Sequence, residues 1–147
     1  MMNKIKILAI CIHNSARSQM TEEYLNKYGR DILEAESAGI EPGTINPVVA
    51  ELLKEDGINI SGKETRSTAS LHAAGASYDY VIAVCDPEAS EKCPLFPAEK
   101  KRYHWPFPDP SKAEGTMEEK KEYIRPIREQ IKEKVQDLVD DLRRNHD

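Results

Sequence analysis

The sequence predicts a single α/β domain with a four-stranded parallel sheet that carries helices on both faces. Apolar runs of strand length alternate along the chain with segments of helical periodicity, an order typical of parallel sheets with crossover helices. The first of these runs becomes continuously apolar, as strands buried on both faces are. At 147 residues the chain is long enough to bury one core, and we expect residues 1–147 to form one domain.

The first strand, the first helix and the second strand follow one another near the N-terminus. Residues 4–10 alternate briefly and then become continuously apolar, which predicts a buried strand. The small and polar residues 11–18 follow as a loop. Apolar residues then recur at helical spacing, which predicts a helix from Ser18 to Gly29. A second strand is expected at residues 32–37.

The middle of the chain predicts two further helices and the third strand. Pro47 opens a helix with one apolar face, and Gly57 follows its end. Residues 58–68 are polar and predict a loop, which precedes a short helix at residues 70–76. The third strand, at residues 78–84, is the most apolar of the four.

The last part of the chain predicts a fourth strand and a long helix. The strand is expected at residues 101–105, and the proline-rich residues 105–115 form a loop. Thr116 and Glu119 make a capping box that begins the helix, and Pro126 should kink this helix or split off its first turns. One apolar stripe along the helix predicts core packing, and it consists of Ile124, Ile127, Ile131, Val135, Leu138 and Leu142.

The charge balance and the N-terminal segment limit the classes of partner. The chain carries 26 acidic and 21 basic side chains, a net charge of −5. Nucleic-acid binding requires a clustered basic face, so this balance disfavours a nucleic-acid partner.

The apolar run at residues 5–10 is too short for a membrane helix and lacks the features of a signal peptide. We therefore expect a cytoplasmic protein with no membrane partner. We also expect a monomer, because no large apolar stripe remains after the core is assigned.

A cysteine and an arginine bracket the loop between the first strand and the first helix. Five residues separate Cys11 from Arg17, a pattern that is weak alone but stronger between a buried strand and an amphipathic helix. There the loop amides and the helix N-terminus can converge on one anion and favour the nucleophilic thiolate. A planar guanidinium can bind two oxygens of a tetrahedral anion. The predicted oxyanion-binding residues are His13, Asn14, Ser15, Ala16, Arg17 and Ser18. The plainer alternatives are a tight turn with a salt-bridging arginine and, for His13, a histidine at the solvent edge.

The remaining candidates are two cysteines and one aspartate. Cys85 follows the third predicted strand as Cys11 follows the first, so both thiols should lie at the same edge of the sheet. Buried thiols that act as small hydrophobic groups are the alternative for Cys85 and Cys93. Asp109 precedes Pro110, so it is either a turn aspartate or the acid that a departing oxygen requires.

The loop and several later segments resemble a known family. Residues 11–20 resemble the phosphate loop of low-molecular-weight protein tyrosine phosphatases. They are still more similar to the thioredoxin-coupled arsenate reductases that share the phosphatase fold. The later segments that match the reductases in order are residues 36–40, Asn46-Pro47, the Cys85 region, Cys93-Pro94 and residues 104–110. The resemblance therefore spans nearly the whole chain.

The resemblance implies reduction of arsenate to arsenite, in arsenic detoxification, without a cofactor or a metal site. By resemblance, Cys11 attacks arsenate, Asp109 protonates the departing oxygen, and Cys85 attacks the Cys11–arsenic adduct and releases arsenite. Cys93 then converts the Cys11–Cys85 disulfide into a Cys85–Cys93 disulfide, which thioredoxin reduces. Phosphate and sulfate are the implied competing oxyanions. A glutaredoxin or another thiol stays open as the electron donor.

The first alternative function is that of a protein tyrosine or small-molecule phosphatase with a phosphocysteine intermediate at Cys11. Such an enzyme would use Arg17 and Asp109 but would leave Cys85 and Cys93 without a role. Phosphatases that accept phosphotyrosine often place aromatic residues after the Asp-Pro pair, whereas residues 111–113 are Ser-Lys-Ala here. This difference disfavours a phosphotyrosine substrate.

The second alternative is a metal-binding or redox-sensing module built from Cys85, Cys93 and His104. Zinc sites usually show close pairs such as Cys-x-x-Cys, and the sequence contains none. The chain also departs from the reductase pattern at one point. Seven residues separate Cys85 from Cys93, one more than the family members usually have.

Overall fold

The computed structural model describes residues 4–85 and 96–145, so Cys93 lies outside the described residues. The strands of the sheet are β1 (Ile5–Cys11), β2 (Leu33–Gly39), β3 (Tyr80–Ala83) and β4 (Lys101–His104). The described helices are α1 (Arg17–Gly29), α2 (Pro47–Glu55), α3 (Thr68–Ala73), a 3-10 helix (Pro110–Lys112) and α4 (Met117–Asn145). All strand pairs are parallel, and the predicted fold class is confirmed.

The strand order places the first strand inside the sheet and gathers the strand ends at one edge. The order is β2-β1-β3-β4. Cys11 pairs with Gly39 at the end of β2, and Ile10 pairs with Ala83 at the end of β3. In open parallel sheets this carboxyl edge is where ligands bind, so the fold itself indicates where to look for a site.

Alternate residues of β1 pack on opposite faces of the sheet. Ile7 and Cys11 belong to the larger core, which α1, α2 and α4 cover. Leu8 and Ile10 belong to a smaller core on the other face, where Leu71 of α3 packs. From Ile7 to Cys11 both faces of β1 are buried, so this part of the strand is continuously apolar, whereas Lys6 before it is exposed.

Several element boundaries differ from the prediction. α3 begins at Thr68, inside the predicted loop, because Ser67 accepts a hydrogen bond from the Ser70 N–H and caps the helix. β1 and β2 run further than predicted, to Cys11 and Gly39, since their pairing continues to the edge of the sheet. The third strand is shorter than its apolar run.

α4 runs unbroken through Pro126, so the predicted loss of its first turns does not occur. Pro126 is exposed, and so is Glu122, whose carbonyl is the one that loses a helical N–H partner at the proline. Ile124 and Ile127 on either side are buried, and Arg128 on the same turns binds Glu55 of α2 at 2.8 Å. Packing therefore offsets the cost of an interior proline, which is about 3 kcal/mol. Within the described part of the chain, no helix is long and apolar enough to cross a membrane.

Candidate active site

The loop of residues 11–18, which we call the cysteine loop, joins β1 to α1 at the carboxyl edge of the sheet. Its carbonyl groups point onto the neighbouring residues 40–46. Four carbonyl groups of the loop accept backbone N–H groups of this segment. The pairs, each with the accepting residue first, are Cys11 and Ile40 at 3.3 Å, Ile12 and Glu41 at 2.8 Å, His13 and Gly43 at 3.0 Å, and Ser15 and Asn46 at 2.9 Å. A trans peptide directs its C=O and N–H in opposite directions, so the N–H groups of this loop face the other way, inwards. They form a concave donor surface of the kind that binds anions.

The sulfur of Cys11 lies at the floor of this concave surface. The residue is buried and its thiol is free. The Asn14 N–H donates to Sγ at 3.1 Å, and Ser18 Oγ lies 2.9 Å from Sγ. The Asn14 side-chain amide donates to Ser18 Oγ at 2.9 Å, and the Ser18 hydroxyl keeps its own hydrogen, which it can donate to the sulfur when Cys11 is a thiolate. These contacts hold the sulfur in one orientation, as nucleophilic attack requires.

Asn14 fixes the conformation of the cysteine loop from behind. Its φ of 55° lies in the left-handed region, which Asn adopts more readily than most residues. The side-chain amide donates to Ser37 Oγ at 2.9 Å as well as to Ser18. Oδ1 accepts from Gln19 Nε2 at 3.1 Å and from the Arg66 N–H at 3.0 Å. The buried amide is thus fully bonded and ties the loop to β2 and to the segment that precedes α3.

Arg17 is the first residue of α1 and its side chain is buried. Nη1 donates to the carbonyl of Phe107 at 3.0 Å, which anchors the guanidinium beside the loop that follows β4. The N-cap residue Ala16 makes no side-chain capping bond. A helix N-terminus without such a cap leaves its N–H donors for an anion. Helix and guanidinium therefore add positive potential at the same end of the cysteine loop.

Asp109 lies beside Arg17, with its Oδ1 atom 3.9 Å from Nη2. The same oxygen accepts the N–H of Ser111 at 2.9 Å, a bond that caps the following 3-10 helix. Trp105 and Phe107 are buried and fix the segment that leads to this carboxyl group. The side chain of Asp109 is 23% exposed, so the carboxyl group can exchange protons with solvent while it faces the site.

These groups enclose a cavity of about 170 Å³. The described residues that line it are Cys11, Ile12, His13, Ser15, Ala16, Arg17, Asn46, Asp109, Pro110 and Ser111. Asn14 and Ser18 lie behind the loop instead and act on the sulfur. His13 is at the exposed edge, where its Nδ1 lies 3.0 Å from the Glu41 carbonyl. No Phe, Tyr or Trp is among the described lining residues, and the space suits a small tetrahedral anion.

Cys85 lies at the same edge of the sheet as Cys11. The N–H of Val84 donates to the Ile10 carbonyl at 3.0 Å, which brings Cys85 beside the start of the cysteine loop. Cys85 is fully buried, and its carbonyl lies 2.9 Å from His104 Nε2. Within residues 4–85 and 96–145, no three His, Cys, Asp or Glu side chains are grouped to hold a metal ion.

Three residues that support the loop, Gly39, Ser37 and Glu22, were not predicted from the sequence. A Cβ at Gly39 would lie 2.6 Å from the Ile12 carbonyl oxygen and 2.8 Å from the Asn14 nitrogen, so the loop can approach β2 only at a glycine. Ser37 accepts from Asn14 and donates to Glu22 Oε1 at 2.6 Å. The small residues at the end of β2 could have indicated these contacts from the sequence, because β2 and β1 end side by side.

The chain has clear relatives in sequence. Residues 6–147 match the family model described as low molecular weight phosphotyrosine protein phosphatase. The arsenate reductase of Halalkalibacterium halodurans is 40% identical over 139 residues, which cover 95% of this chain and 98% of the relative.

Solved structures agree with this relationship. An arsenate reductase in the phosphate binding state has a TM-score of 0.75 and 28% identity, over 93% of this chain and 98% of that one. A thioredoxin-dependent arsenate reductase of Corynebacterium glutamicum has a TM-score of 0.69 and 28% identity, over 95% of this chain and 62% of that one. With the cysteine loop, Arg17 and Asp109 around one cavity, these similarities lead to one conclusion: the chain belongs to the low molecular weight phosphotyrosine protein phosphatase family.

Proposed function

We propose that this chain is a cytoplasmic arsenate reductase that thioredoxin returns to its reduced form. The observation that carries the proposal is the small cavity that contains Cys11, Arg17 and Asp109. Its inward amides, helix N-terminus and guanidinium match the charge and shape of a tetrahedral oxyanion. The name of the Halalkalibacterium relative, arsenate reductase, supports arsenate as that oxyanion.

The first step is a substitution at arsenic. The thiolate of Cys11 attacks the arsenic atom, and a sulfur–arsenic bond forms while one arsenic–oxygen bond breaks. Asp109 gives its proton to the departing oxygen, which leaves as water. Arg17 and the loop amides hold the remaining oxygens and stabilise the negative charge that builds up on them.

The second step transfers two electrons. The thiolate of Cys85 attacks Cys11 Sγ, a disulfide forms, and the electron pair of the sulfur–arsenic bond stays on arsenic, which leaves as arsenite. The thiolate of Cys93 then attacks Cys85 and releases Cys11 as a thiolate. The dithiol of thioredoxin reduces the Cys85–Cys93 disulfide and becomes a disulfide itself.

Two observations support this exchange sequence. Cys11 and Cys85 lie at the same edge of the sheet, where they can meet after a local rearrangement. The Corynebacterium neighbour is described as thioredoxin-dependent, which favours thioredoxin over another thiol as the donor.

Phosphatase chemistry is the second candidate, and the family match favours it. Cys11, Arg17 and Asp109 are sufficient for attack on a phosphate ester, because phosphate and arsenate share charge and shape. The lining of the cavity argues against phosphotyrosine, since no Phe, Tyr or Trp stands among the described lining residues to hold a ring. We therefore expect phosphate-ester hydrolysis only as a side activity, which an aryl phosphate with a good leaving group reveals without specific binding of its ring.

The test couples arsenate reduction to the oxidation of NADPH. NADPH oxidation is followed in the presence of arsenate, thioredoxin and thioredoxin reductase for the wild type, Cys85→Ser and Cys93→Ser. Hydrolysis of an aryl phosphate is measured on the same three proteins.

We expect arsenate-dependent turnover to disappear in both variants while aryl-phosphate hydrolysis survives, because that reaction needs neither thiol. A wild type that hydrolyses the phosphate well but shows no arsenate-dependent NADPH oxidation would make the chain a phosphatase. Turnover that persists in Cys93→Ser would exclude the resolving role of Cys93.

A further inference from the structure

Two part-buried ion pairs that share one lysine lie behind the cysteine loop, outside the cavity. Lys63, in the segment between α2 and α3, places its ammonium between the carboxylates of Glu22 and Glu23 on α1. The three side chains are only 19%, 10% and 20% exposed. None of them lines the cavity, so the reaction itself gives them no role.

Hydrogen bonds through Ser37 and Asn14 connect the Lys63–Glu22 ion pair to the nucleophile. Glu22 Oε1 accepts from Ser37 Oγ at 2.6 Å, and Ser37 Oγ accepts from the Asn14 side-chain amide at 2.9 Å. The backbone N–H of Asn14 then donates to Cys11 Sγ at 3.1 Å. Glu22, Ser37 and Asn14 are all buried, so water does not compete for these bonds.

The direction of the hydrogen bond between Ser37 and Glu22 depends on the charge of Glu22. An ionised carboxylate only accepts hydrogen bonds, so Ser37 must donate to it and keeps its lone pairs for Asn14. A protonated Glu22 could donate to Ser37 instead, and the hydroxyl hydrogen of Ser37 could then point at the Asn14 amide, which is also a donor. Burial raises the pKa of Glu22, and the Lys63 ammonium and the Ser37 hydroxyl oppose that rise.

We propose that Lys63 is a positioning residue for the oxyanion site. Its ammonium keeps Glu22 ionised, Glu22 orients Ser37, and Ser37 holds Asn14 in the left-handed conformation that directs the loop amides inwards. The affinity of the cavity for a tetrahedral anion therefore depends on a cation that never touches the anion. The inference goes beyond the proposed reaction, because it applies equally to arsenate and to phosphate.

The test measures binding of inorganic phosphate to the full chain by calorimetry, so it requires no turnover. The variants are Lys63→Ala, Lys63→Arg and the control Lys54→Ala. Lys54 is exposed and its ammonium pairs with Glu51, away from the loop. Circular dichroism and the melting temperature establish that each variant is folded at the assay temperature.

We expect Lys63→Ala to weaken phosphate binding about tenfold, the effect of losing roughly one well-placed hydrogen bond. Lys63→Arg should stay within about threefold of the wild type, since it keeps the cation, and Lys54→Ala should not change. Added ethylammonium should restore binding to Lys63→Ala by occupying the space left beside Glu22. Wild-type phosphate affinity in folded Lys63→Ala would overturn the proposal, as would a loss that neither arginine nor ethylammonium restores.

A second variant covers the case in which Lys63→Ala does not fold because a buried carboxylate is left unpaired. The double variant Glu22→Gln/Lys63→Met removes that charge together with Lys63 and leaves only the Glu23 carboxylate, whose side chain is 20% exposed to water. The side-chain amide that replaces the carboxylate no longer forces Ser37 to donate, so we expect this variant to fold and to bind phosphate about tenfold more weakly. Binding within about threefold of the wild type would overturn the proposal. Neither outcome depends on arsenate reduction, so a failure here is separate from a failure of the proposed function.

Discussion

Nη2 of Arg17 lies 3.9 Å from Oδ1 of Asp109, at the cavity whose floor is Cys11 Sγ. The two residues are far apart in the sequence, and the Phe107 carbonyl that accepts from Arg17 Nη1 holds the two segments together. An oxyanion bound by the guanidinium is therefore within reach of the carboxyl group. In the proposed reaction, anion binding and proton delivery would therefore take place at the same corner of the site.

Asp109→Asn should separate proton delivery from binding. The amide oxygen can still accept from Ser111, so the local turn should persist. Loss of the acid should lower kcat for aryl-phosphate hydrolysis by about a hundredfold or more, while inhibition by phosphate stays nearly unchanged. Steady-state kinetics with phosphate as the inhibitor measure both quantities, and an unchanged kcat would remove Asp109 from the mechanism.

Arg17→Lys should weaken anion binding although it keeps the positive charge. A lysine ammonium cannot bind Phe107 and two oxygens of the anion with the geometry of a planar fork. Losing one charge-assisted hydrogen bond costs about 2 kcal/mol, or roughly 30-fold in Kd. Calorimetry with phosphate measures this change. The control is Lys54→Arg, which makes the reverse substitution at an exposed position. Equal affinity in Arg17→Lys would show that charge alone matters.

Gly39→Ala should damage the site without touching its chemical groups. The added methyl group would lie 2.6 Å from the Ile12 carbonyl oxygen, so the cysteine loop must move. We expect a loss of stability of about 1–3 kcal/mol and a clear loss of phosphate affinity. The matched control is Gly43→Ala, whose nearest contact is His13 Cβ at an ordinary 3.8 Å. Equal phosphate affinity in the two variants would contradict the argument.

Two substitutions of Asn14 should separate backbone strain from lost hydrogen bonds. Asn14→Ala and Asn14→Gly both remove the buried amide, but only alanine is strained at a φ of 55°. We expect Asn14→Gly to be about 1 kcal/mol more stable than Asn14→Ala, and both to be less stable than the wild type. Urea unfolding measures the difference. The reverse order of the two variants would show that the left-handed conformation does not persist in solution.

Asp56 should contribute stability that disappears in acid. Burial alone would raise the pKa of Asp56, but the Tyr24 hydroxyl at 2.6 Å and the Lys132 ammonium at 3.1 Å bring it below its usual value. A carboxyl group with a lowered pKa stabilises the fold above the pKa of the unfolded chain, and this contribution is lost as the pH falls through the folded value.

The measurement is the free energy of unfolding of Asp56→Asn against the wild type, by urea at several pH values. We expect a deficit of about 1–2 kcal/mol at neutral pH that shrinks below about pH 4. The exposed Asp140→Asn serves as the control and should show no such trend. A deficit that is constant down to the lowest pH would exclude an ionic origin.

The sequence alone determined the architecture and the chemical groups. Continuous apolar runs and helical periodicity predicted the parallel sheet, because burial on both faces leaves no polar alternation in a strand. The spacing of Cys11 and Arg17 around a strand-to-helix turn predicted an anion loop, since local chain geometry is sufficient to form one. The resemblance added Asp109, which the residues alone could not distinguish from a turn aspartate.

The tertiary structure decided which distant residues support that loop. Gly39, Ser37 and Lys63 lie on segments that the sequence does not connect to Cys11. Their roles follow from strand register and from buried contacts. The same applies to Pro126, whose helix continues because neighbouring side chains pack and pair with α2. Helices, strands and turns depend on a few neighbouring residues, so a sequence pattern can predict them. The burial of a side chain and the close approach of two segments depend on where distant parts of the chain meet, and a sequence pattern does not contain that information.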